Sequence, residues 1–231
     1  AYDPCPILIV MPNDSQCASL SRDRISPMIR DSPILRGTIA EPKSRTTGNT
    51  ISHKTFKGGS LTLASAQSPA NLSARSIRLV CTDEVDRMPQ SSGSEGDPVT
   101  LAKRRSVSFW NRKILMTSTP TIKGESRIEK AYEDSDQRKF YVPCEGCGEF
   151  QVLEWANVKW ENQDPETARY QCEHCEKSWT EQERMRAVRL GEWRATAVKP
   201  GVAGFHLSGL YSPSITLPQA VLEFQLAKGH P

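Results

Sequence analysis

The chain has 231 residues, 37% of them apolar and 25% charged, with a formal net charge of +3. That length admits one large or two small domains with a sizeable core, the composition is that of a globular chain, and the absence of any run of 18 apolar residues excludes a membrane-spanning helix from this stretch. The small net charge neither requires nor excludes a nucleic-acid partner. Its distribution says more: Lys103, Arg104, Arg105, Arg112 and Lys113 lie close together with no acidic residue between them, whereas Glu161 to Glu183 leans acidic.

In chain order, Ile7 to Val10 reads as a buried strand closed by Pro12. Asn13 or Asp14 then caps a helix that carries Cys17, Leu20, Ile25 and Ile29 on one side, with Pro27 interrupting it or starting a second turn. Pro42 to Asn49 is polar and reads as a loop. Thr50 to Phe56 and Ser60 to Ala64 flank Gly58-Gly59, which signals a hairpin. Ser65 to Arg75 is small and polar, a loop or short helix. Ser91 to Pro98, rich in Ser and Gly, is expected to be mobile. Ser126-Arg127-Ile128-Glu129 and Thr180-Glu181-Gln182-Glu183 are capping-box patterns, the first opening a helix to about Asp134 and the second a helix that stops at Gly191. Gly204 to Leu207 reads as a return strand and Leu217 to Ala227 as an amphipathic helix.

The most informative stretch is Leu79-Val80-Cys81-Thr82-Asp83-Glu84. An apolar run ending in two carboxylates has the shape of a Walker B element, which delivers its acids to the C-terminal edge of a parallel sheet, where nucleotides bind in open α/β folds. Phosphoryl transfer needs a hard oxygen ligand for magnesium and a group that orients the attacking water. Asp83 suits the first role and Glu84 the second. An ordinary strand followed by a solvated acidic turn is the plain alternative. Ile114-Leu115-Met116-Thr117-Ser118-Thr119-Pro120, a second apolar strand ending in small hydroxyls and a proline, tips the balance, because ATPase motors commonly place such a strand beside Walker B, where its hydroxyls can sense the γ-phosphate. These features predict an α/β fold of the P-loop NTPase type (RecA-like, ASCE), with a largely parallel sheet. No G-x-x-x-x-G-K-[ST] phosphate loop occurs in the sequence. The chain begins at Ala1 and enters a strand almost at once, so the loop is expected upstream.

Seven cysteines are present. Cys144-Glu145-Gly146-Cys147 and Cys172-Glu173-His174-Cys175 are two C-x-x-C knuckles, and each brings two thiolates to one side of a tight turn. Together they make the closed tetrahedral sulfur shell of a structural zinc site, which predicts an inserted zinc ribbon. Redox knuckles or a disulfide pair are the alternatives. His174 is an alternate ligand candidate, but it sits between two better ones and is expected to face solvent. The ribbon's many acids would repel phosphates, which points to a stabilising or docking role. Trp155, Trp160 and Trp179 are expected in the ribbon's core, and His206 is read as a satisfied interior histidine. The expected organisation is a partial ATPase core over 1–139, the zinc ribbon over 140–179, and over 180–231 a helix, a return strand and the start of a linker.

With these elements in order, the chain resembles the large terminase subunit of tailed bacteriophages, of the lambda-type (GpA) family. The resemblance runs along essentially the whole chain. It rests on Gly58-Gly59-Ser60-Leu61-Thr62-Leu63, Thr82-Asp83-Glu84-Val85-Asp86-Arg87, Glu95-Gly96-Asp97-Pro98-Val99 and Asn111-Arg112-Lys113-Ile114-Leu115. It continues through Ser118-Thr119-Pro120-Thr121-Ile122-Lys123-Gly124, Phe140-Tyr141-Val142-Pro143-Cys144 and Gly204 to Pro213. The resemblance implies an ATPase motor, using ATP and Mg2+, that drives double-stranded DNA into an empty capsid. It implies Asp83 as the magnesium-side acid, Glu84 as the catalytic glutamate, and Ser118 and Thr119 as the coupling motif. It also implies a small terminase subunit and a portal or procapsid as partners, a homo-oligomeric ring, no membrane attachment, and the host bacterial cytoplasm as location. The family carries a downstream nuclease domain, so the chain is expected to be a middle piece, inactive alone. Two other readings stand beside this one: a DEAD-like helicase fragment, from Asp83-Glu84-Val85-Asp86, and a non-catalytic zinc-ribbon adaptor. Asp86 either supports the acidic loop or binds Arg87. Arg75 and Arg78 are candidates for a charge-neutralising arginine or form a solvated basic edge, and the Lys103 to Lys113 cluster either tracks DNA phosphates or is a solvated helix face.

Overall fold

The structure is a computed structural model that describes residues 3–39 and 49–228. The loop expected over Pro42 to Asn49 falls outside them except for Asn49. The chain divides into two compact units, Ala1–Glu129 and Lys130–Pro231.

The first unit is built on a five-stranded sheet. Its first strand, β1 (Pro6–Met11), leads through Asn13 into α1 (Asp14–Ser19), and the Asn13 side chain accepts the Gln16 N–H as a helix cap. The helix continues through one π-type turn (Leu20–Ile25) into α2 (Ser26–Asp31), with Pro27 in its first turn, where the missing N–H costs nothing. After α3 (Pro33–Thr38) comes the expected hairpin, β2 (His53–Phe56) and β3 (Gly59–Ser65), paired antiparallel. Gly58 turns it with φ 82, and a Cβ on Gly59 would come within 2.5 Å of the Cys5 carbonyl oxygen, so both glycines are required. Then follow α4 (Pro69–Ser73), β4 (Leu79–Asp83), α5 (Pro98–Arg104), β5 (Lys113–Thr117) and α6 (Arg127–Glu133), the last crossing the division between units. The strand order is β2-β3-β1-β4-β5, and every pairing except β2 with β3 is parallel. The largely parallel α/β sheet is therefore present.

Its core is the apolar content of β1, β3 and β4, with Leu8, Val10, Ala64 and Val80 packed on Leu72, Val85, Val99 and Ala102. Strand β5 differs. Ile114 and Leu115 point to opposite faces, as successive strand residues must, and both are exposed, so only Met116 joins the core. The Ser91 to Pro98 loop, expected to be mobile, is stitched to itself: Ser92 N–H donates to the Gly96 carbonyl at 2.8 Å, and the Ser92 side chain is fully buried.

The second unit carries β6 (Arg138–Pro143), β7 (Phe150–Val152), β8 (Val158–Glu161), β9 (Asp164–Gln171) and β10 (Ser178–Trp179). It continues with α7 (Glu181–Arg189), β11 (Glu192–Arg194), β12 (Phe205–His206) and α8 (Leu217–Lys228). Strands β8, β9 and β10 form an antiparallel sheet; in a second, mixed sheet β6 pairs antiparallel with β7 and β11 and parallel with β12. One core joins them. Val142, Leu153, Tyr170 and Trp179 pack with Ala187, Leu210, Tyr211, Leu217 and Val221, so residues 140–179 share their interior with 180–228. The compact units accordingly divide upstream of the expected 139/140 boundary. Trp155 and Trp160 are half-buried against Phe224 of α8, with ring centroids 5.0 and 6.0 Å away, because three short strands alone are too thin to cover two indoles.

Two polar pins hold this core. Tyr211 Oη donates to the Phe140 carbonyl and accepts the Leu153 N–H, both at 2.7 Å, and burial pushes its phenol up to about 12. Arg184, with no exposed surface, donates to the carbonyls of Leu210, Ser212 and Ile215 and pairs with Glu181. The capping box at Thr180 forms as expected, with Thr180 and Glu183 each bonded to the other's backbone N–H. At Ser126 only half of one forms: Ser126 Oγ accepts the Glu129 N–H, but the Glu129 carboxylate turns to the Gly124 N–H instead. Helix α8 buries Leu217 and Val221 but exposes Leu222 and Leu226, so its apolar residues are not confined to one side. His206 is exposed rather than interior, since β12 is a two-residue edge strand, and its ring lies 5.8 Å from that of Tyr132.

Candidate functional site

Asp83 is the last residue of β4, and Thr117 the last of β5, and the parallel register places them side by side. Thr117 Oγ1 donates to Asp83 Oδ1 at 2.6 Å, and the Glu84 N–H donates to the same oxygen at 2.9 Å. Among the described residues Asp83 Oδ2 has no hydrogen-bond partner. One carboxylate oxygen is thus held by the protein, and the other could ligate a hard divalent cation.

Glu84 breaks the strand. Its backbone is left-handed, φ 52 and ψ 48, a conformation a side-chain-bearing residue adopts at a cost of about 1 kcal/mol or more and retains where the surroundings over-determine it. Here they do: Asp83 is tied on one side, and on the other Val85, fully buried, opens a 3-10 turn through Arg87. Arg87 Nε lies 3.1 Å from Glu84 Oε2, an ion pair outside hydrogen-bond geometry that leaves that oxygen without a hydrogen-bond donor.

Asp86 does not bind Arg87. Its Oδ1 accepts the Ile128 N–H at 2.9 Å, its Oδ2 accepts the Thr121 N–H at 3.1 Å, and its own N–H donates to Ser118 Oγ at 3.3 Å. Burial pushes the Asp86 carboxyl up, but donors from Ser126, Ile128, Thr121 and Arg127 outweigh it and hold the group below the usual carboxylate range.

Of the two predicted hydroxyls, the structure brings Ser118 to the acidic segment. Among the described residues the Thr119 hydroxyl makes no hydrogen bond; Thr119 supplies its carbonyl to Ser118 Oγ at 3.1 Å. Thr117, which sequence reasoning did not single out, makes the shortest hydrogen bond to the acidic segment. Aligning the ends of the two apolar runs, Asp83 against Thr117, would have found it, but only once the register was known. Arg78 precedes β4, at the opposite end of the strand from Asp83, and is bonded to Asp3. Arg75 Nη1 lies 3.0 Å from His53 Nε2.

The basic run is partly spoken for. Arg105 Nη1 donates to the Ser73 carbonyl at 3.0 Å, whereas Arg104, Arg112 and Lys113 are exposed and form no ion pair among the described residues. Between them Trp110 is 93% exposed at the tip of the α5–β5 connection.

In the second unit the four predicted cysteine sulfurs lie within 4.8 Å of one another. Cys144 and Cys175 Sγ are 3.7 Å apart and Cys147 and Cys172 Sγ 3.9 Å. Tetrahedral coordination with bonds of about 2.3 Å separates sulfurs by about 3.8 Å, so this donor set fits a thiophilic tetrahedral cation. Burial pushes the Cys144 thiol up, but N–H groups of Cys147 and Gly146 aimed at its sulfur overcome this and bring it down to about 6. Gln151 Nε2 donates to Cys172 Sγ at 3.3 Å, holding that sulfur from outside the set. His174 is exposed beside Glu173 and takes no part in the cluster, as expected.

An acidic pair beside a hydroxyl-bearing strand, at the C-terminal edge of a largely parallel sheet, is an α/β arrangement of the class that can bind nucleotides. Over residues 1–193 the chain matches the family described as phage terminase large subunit gpA, ATPase domain, and it belongs to that family. It is 30% identical over 243 residues to the terminase large subunit of Enterobacteria phage P21, an alignment covering 94% of this chain and 38% of that protein. To the terminase large subunit of Escherichia phage lambda it is 27% identical over 248 residues, covering 96% and 38%. The chain thus spans 38% of the length of both relatives. Solved structures similar to it include the large terminase of a thermophilic bacteriophage, at 18% identity and TM-score 0.36 over 52% of this chain and 27% of that one. Another is the large terminase ATPase domain of Thermus phage P74-26, at 16% identity and TM-score 0.36 over 66% and 61%. Likenesses of that size carry no argument about fold, and the family membership rests on the sequence match.

Proposed function

We propose that this chain is part of the ATP-driven motor that packages double-stranded viral DNA into a procapsid, as the terminase large subunit does. The observation that carries the reading is the Asp83–Thr117 contact at the C-terminal edge of the parallel sheet, in a chain of the terminase ATPase family. Asp83 Oδ2 is the oxygen offered to Mg2+, which when bound neutralises charge on the β- and γ-phosphates. Glu84 orients the attacking water and takes its proton as the new P–O bond forms and ADP leaves. Ser118, bonded to Asp86 N–H, and Thr119 make up the coupling motif. The reading requires a phosphate loop, and no G-x-x-x-x-G-K-[ST] signature occurs in these 231 residues. The exposed edge of β5 is where the strand carrying it would add. The small terminase subunit and the portal are the partners this reading calls for, with a homo-oligomeric ring in the host bacterial cytoplasm and an endonuclease domain elsewhere in the protein. Glu84→Gln, made in a form of the protein that includes a phosphate loop, is expected to lower ATP turnover by about 100-fold or more while ATP binding persists. Retained turnover would remove Glu84 from the mechanism.

The cysteine cluster is a structural zinc site, with Cys144, Cys147, Cys172 and Cys175 as the four ligands. The support is the sulfur spacing and the Gln151 contact. Protein purified without added zinc is expected to contain one zinc per chain, lost in a Cys144→Ser, Cys172→Ser variant. Metal content near zero, or unchanged in that variant, would contradict the assignment.

Duplex DNA is held through its backbone by the exposed cations of the α5–β5 connection. Arg104 and Arg112 are the favoured pair, because the neighbouring Arg105 is committed to the Ser73 carbonyl. Duplex affinity measured across a salt series should show a slope flattened by about one to two units in an Arg104→Ala, Arg112→Ala variant, close to one per phosphate contact. A wild-type slope in that variant would place the DNA elsewhere on the protein.

A further inference from the structure

We propose that Asp86 is a positioning residue: it locks the segment after β5 to the acidic turn, so that the setting of Glu84 depends on that segment. The proposal rests on the reading of Glu84 as the water-orienting group. Three contacts converge on this one residue. Its N–H is bonded to Ser118 Oγ, its Oδ2 to the Thr121 N–H, with Thr121 Oγ1 at 3.4 Å, and its Oδ1 to the Ile128 N–H. These reach the beginning, middle and end of the stretch from Ser118 to Ile128. Arg127 grips from the opposite side. Its guanidinium donates to the carbonyls of Val85 and Met88 at 2.9 Å and of Pro89 at 2.8 Å, and it lies 3.3 Å from Asp97. The turn that follows Glu84 is therefore held by one charged side chain reaching out of it and another reaching in.

Glu84 sits between two fixed points. Thr117 anchors Asp83, and the buried Val85 side chain anchors the turn. Asp86 adds a third hold, two residues beyond Glu84, and displacement of Ser118 or Thr121 loosens it. The Asp86 carboxylate is suited to this because both its oxygens accept from backbone N–H groups. An amide there presents one oxygen and one NH2, and the NH2 would face an N–H donor.

The test uses a form of the protein that turns over ATP, either this chain or this chain extended by a phosphate loop. Asp86→Asn is expected to lower kcat about tenfold, the loss of one charge-assisted hydrogen bond, with KM for ATP changed less than about twofold. Ser118→Ala and the double variant complete a cycle, and the double variant is expected to be no slower than the slower single, because both act through one clasp. A full kcat with a lowered Tm would make Asp86 a fastening of the fold and overturn the proposal, as would a rise in KM that accounts for the loss, or additive losses in the cycle. On the unsubstituted protein, hydrogen exchange provides a check that needs no variant to fold: the amides of Asp86, Thr121 and Ile128 should open together. Exchange rates spread over more than about tenfold after correction for intrinsic rates would contradict a single clasp. Glu84→Gln is run in parallel. If it retains turnover, the reading of Glu84 fails; if it is inactive while Asp86→Asn is fully active, only the present inference fails.

Discussion

Strand β4 pairs in parallel with β5, and the register of that pairing sets Asp83 opposite Thr117. A slip of one residue would send every side chain of β5 to the other face of the sheet and take the hydroxyl away from the carboxylate. The apolar content of β4 fixes its own depth, with Val80 fully buried in the core. Strand β5 has less to hold it, because Ile114 and Leu115 are exposed and only Met116 packs inward. Polar contacts at its end take over the task. Thr117 is bonded to Asp83, Ser118 to the Asp86 N–H, and Thr121 and Ile128 to the Asp86 carboxylate. The alignment that makes the acidic pair usable is therefore maintained by the same residues that surround it.

A similar division of labour appears in the second unit. Its strands are short, and its apolar cluster is supplemented by buried polar groups that find partners. Tyr211 ties the β6 and β7 segments together, and Arg184 ties α7 to the stretch before α8. Buried charge of this kind is costly unless each donor finds an acceptor, and Arg184 finds three carbonyls and a carboxylate. The cysteine cluster lies in the same core, since Cys144 and Cys172 belong to the buried set that includes Trp179 and Tyr211.

Much of this was legible in the residues. The apolar run ending at Asp83, the hairpin at Gly58-Gly59, the caps at Asn13 and Thr180 and the two cysteine knuckles each carry their own local chemistry, and the structure places all of them as strand, turn, cap and cluster. What escaped depends on tertiary register. Thr117 looked like one more β-branched strand residue, because nothing local marks which residue of β5 faces Asp83. Asp86 was legible only as a support for the acidic loop or a partner of Arg87, and nothing local joined it to Ile128, or Arg127 to Val85, 42 residues away in each case. Arg105 was indistinguishable from Arg104 until α4 brought the Ser73 carbonyl to it. His206 was misplaced for the opposite reason. Its apolar neighbours suggested an interior strand, but β12 is too short and too near the edge to bury anything.

The central claim is that the Asp83 carboxylate, seated on Thr117, is where the metal of a bound nucleotide sits. Mn2+ substituted for Mg2+ with ATP, in a form of the protein that binds nucleotide, tests this through paramagnetic broadening of threonine methyl resonances. The account predicts that the Thr117 methyl signal is broadened away and that Asp83→Asn abolishes the effect. A sharp Thr117 methyl signal in the presence of bound Mn2+ and ATP would contradict it.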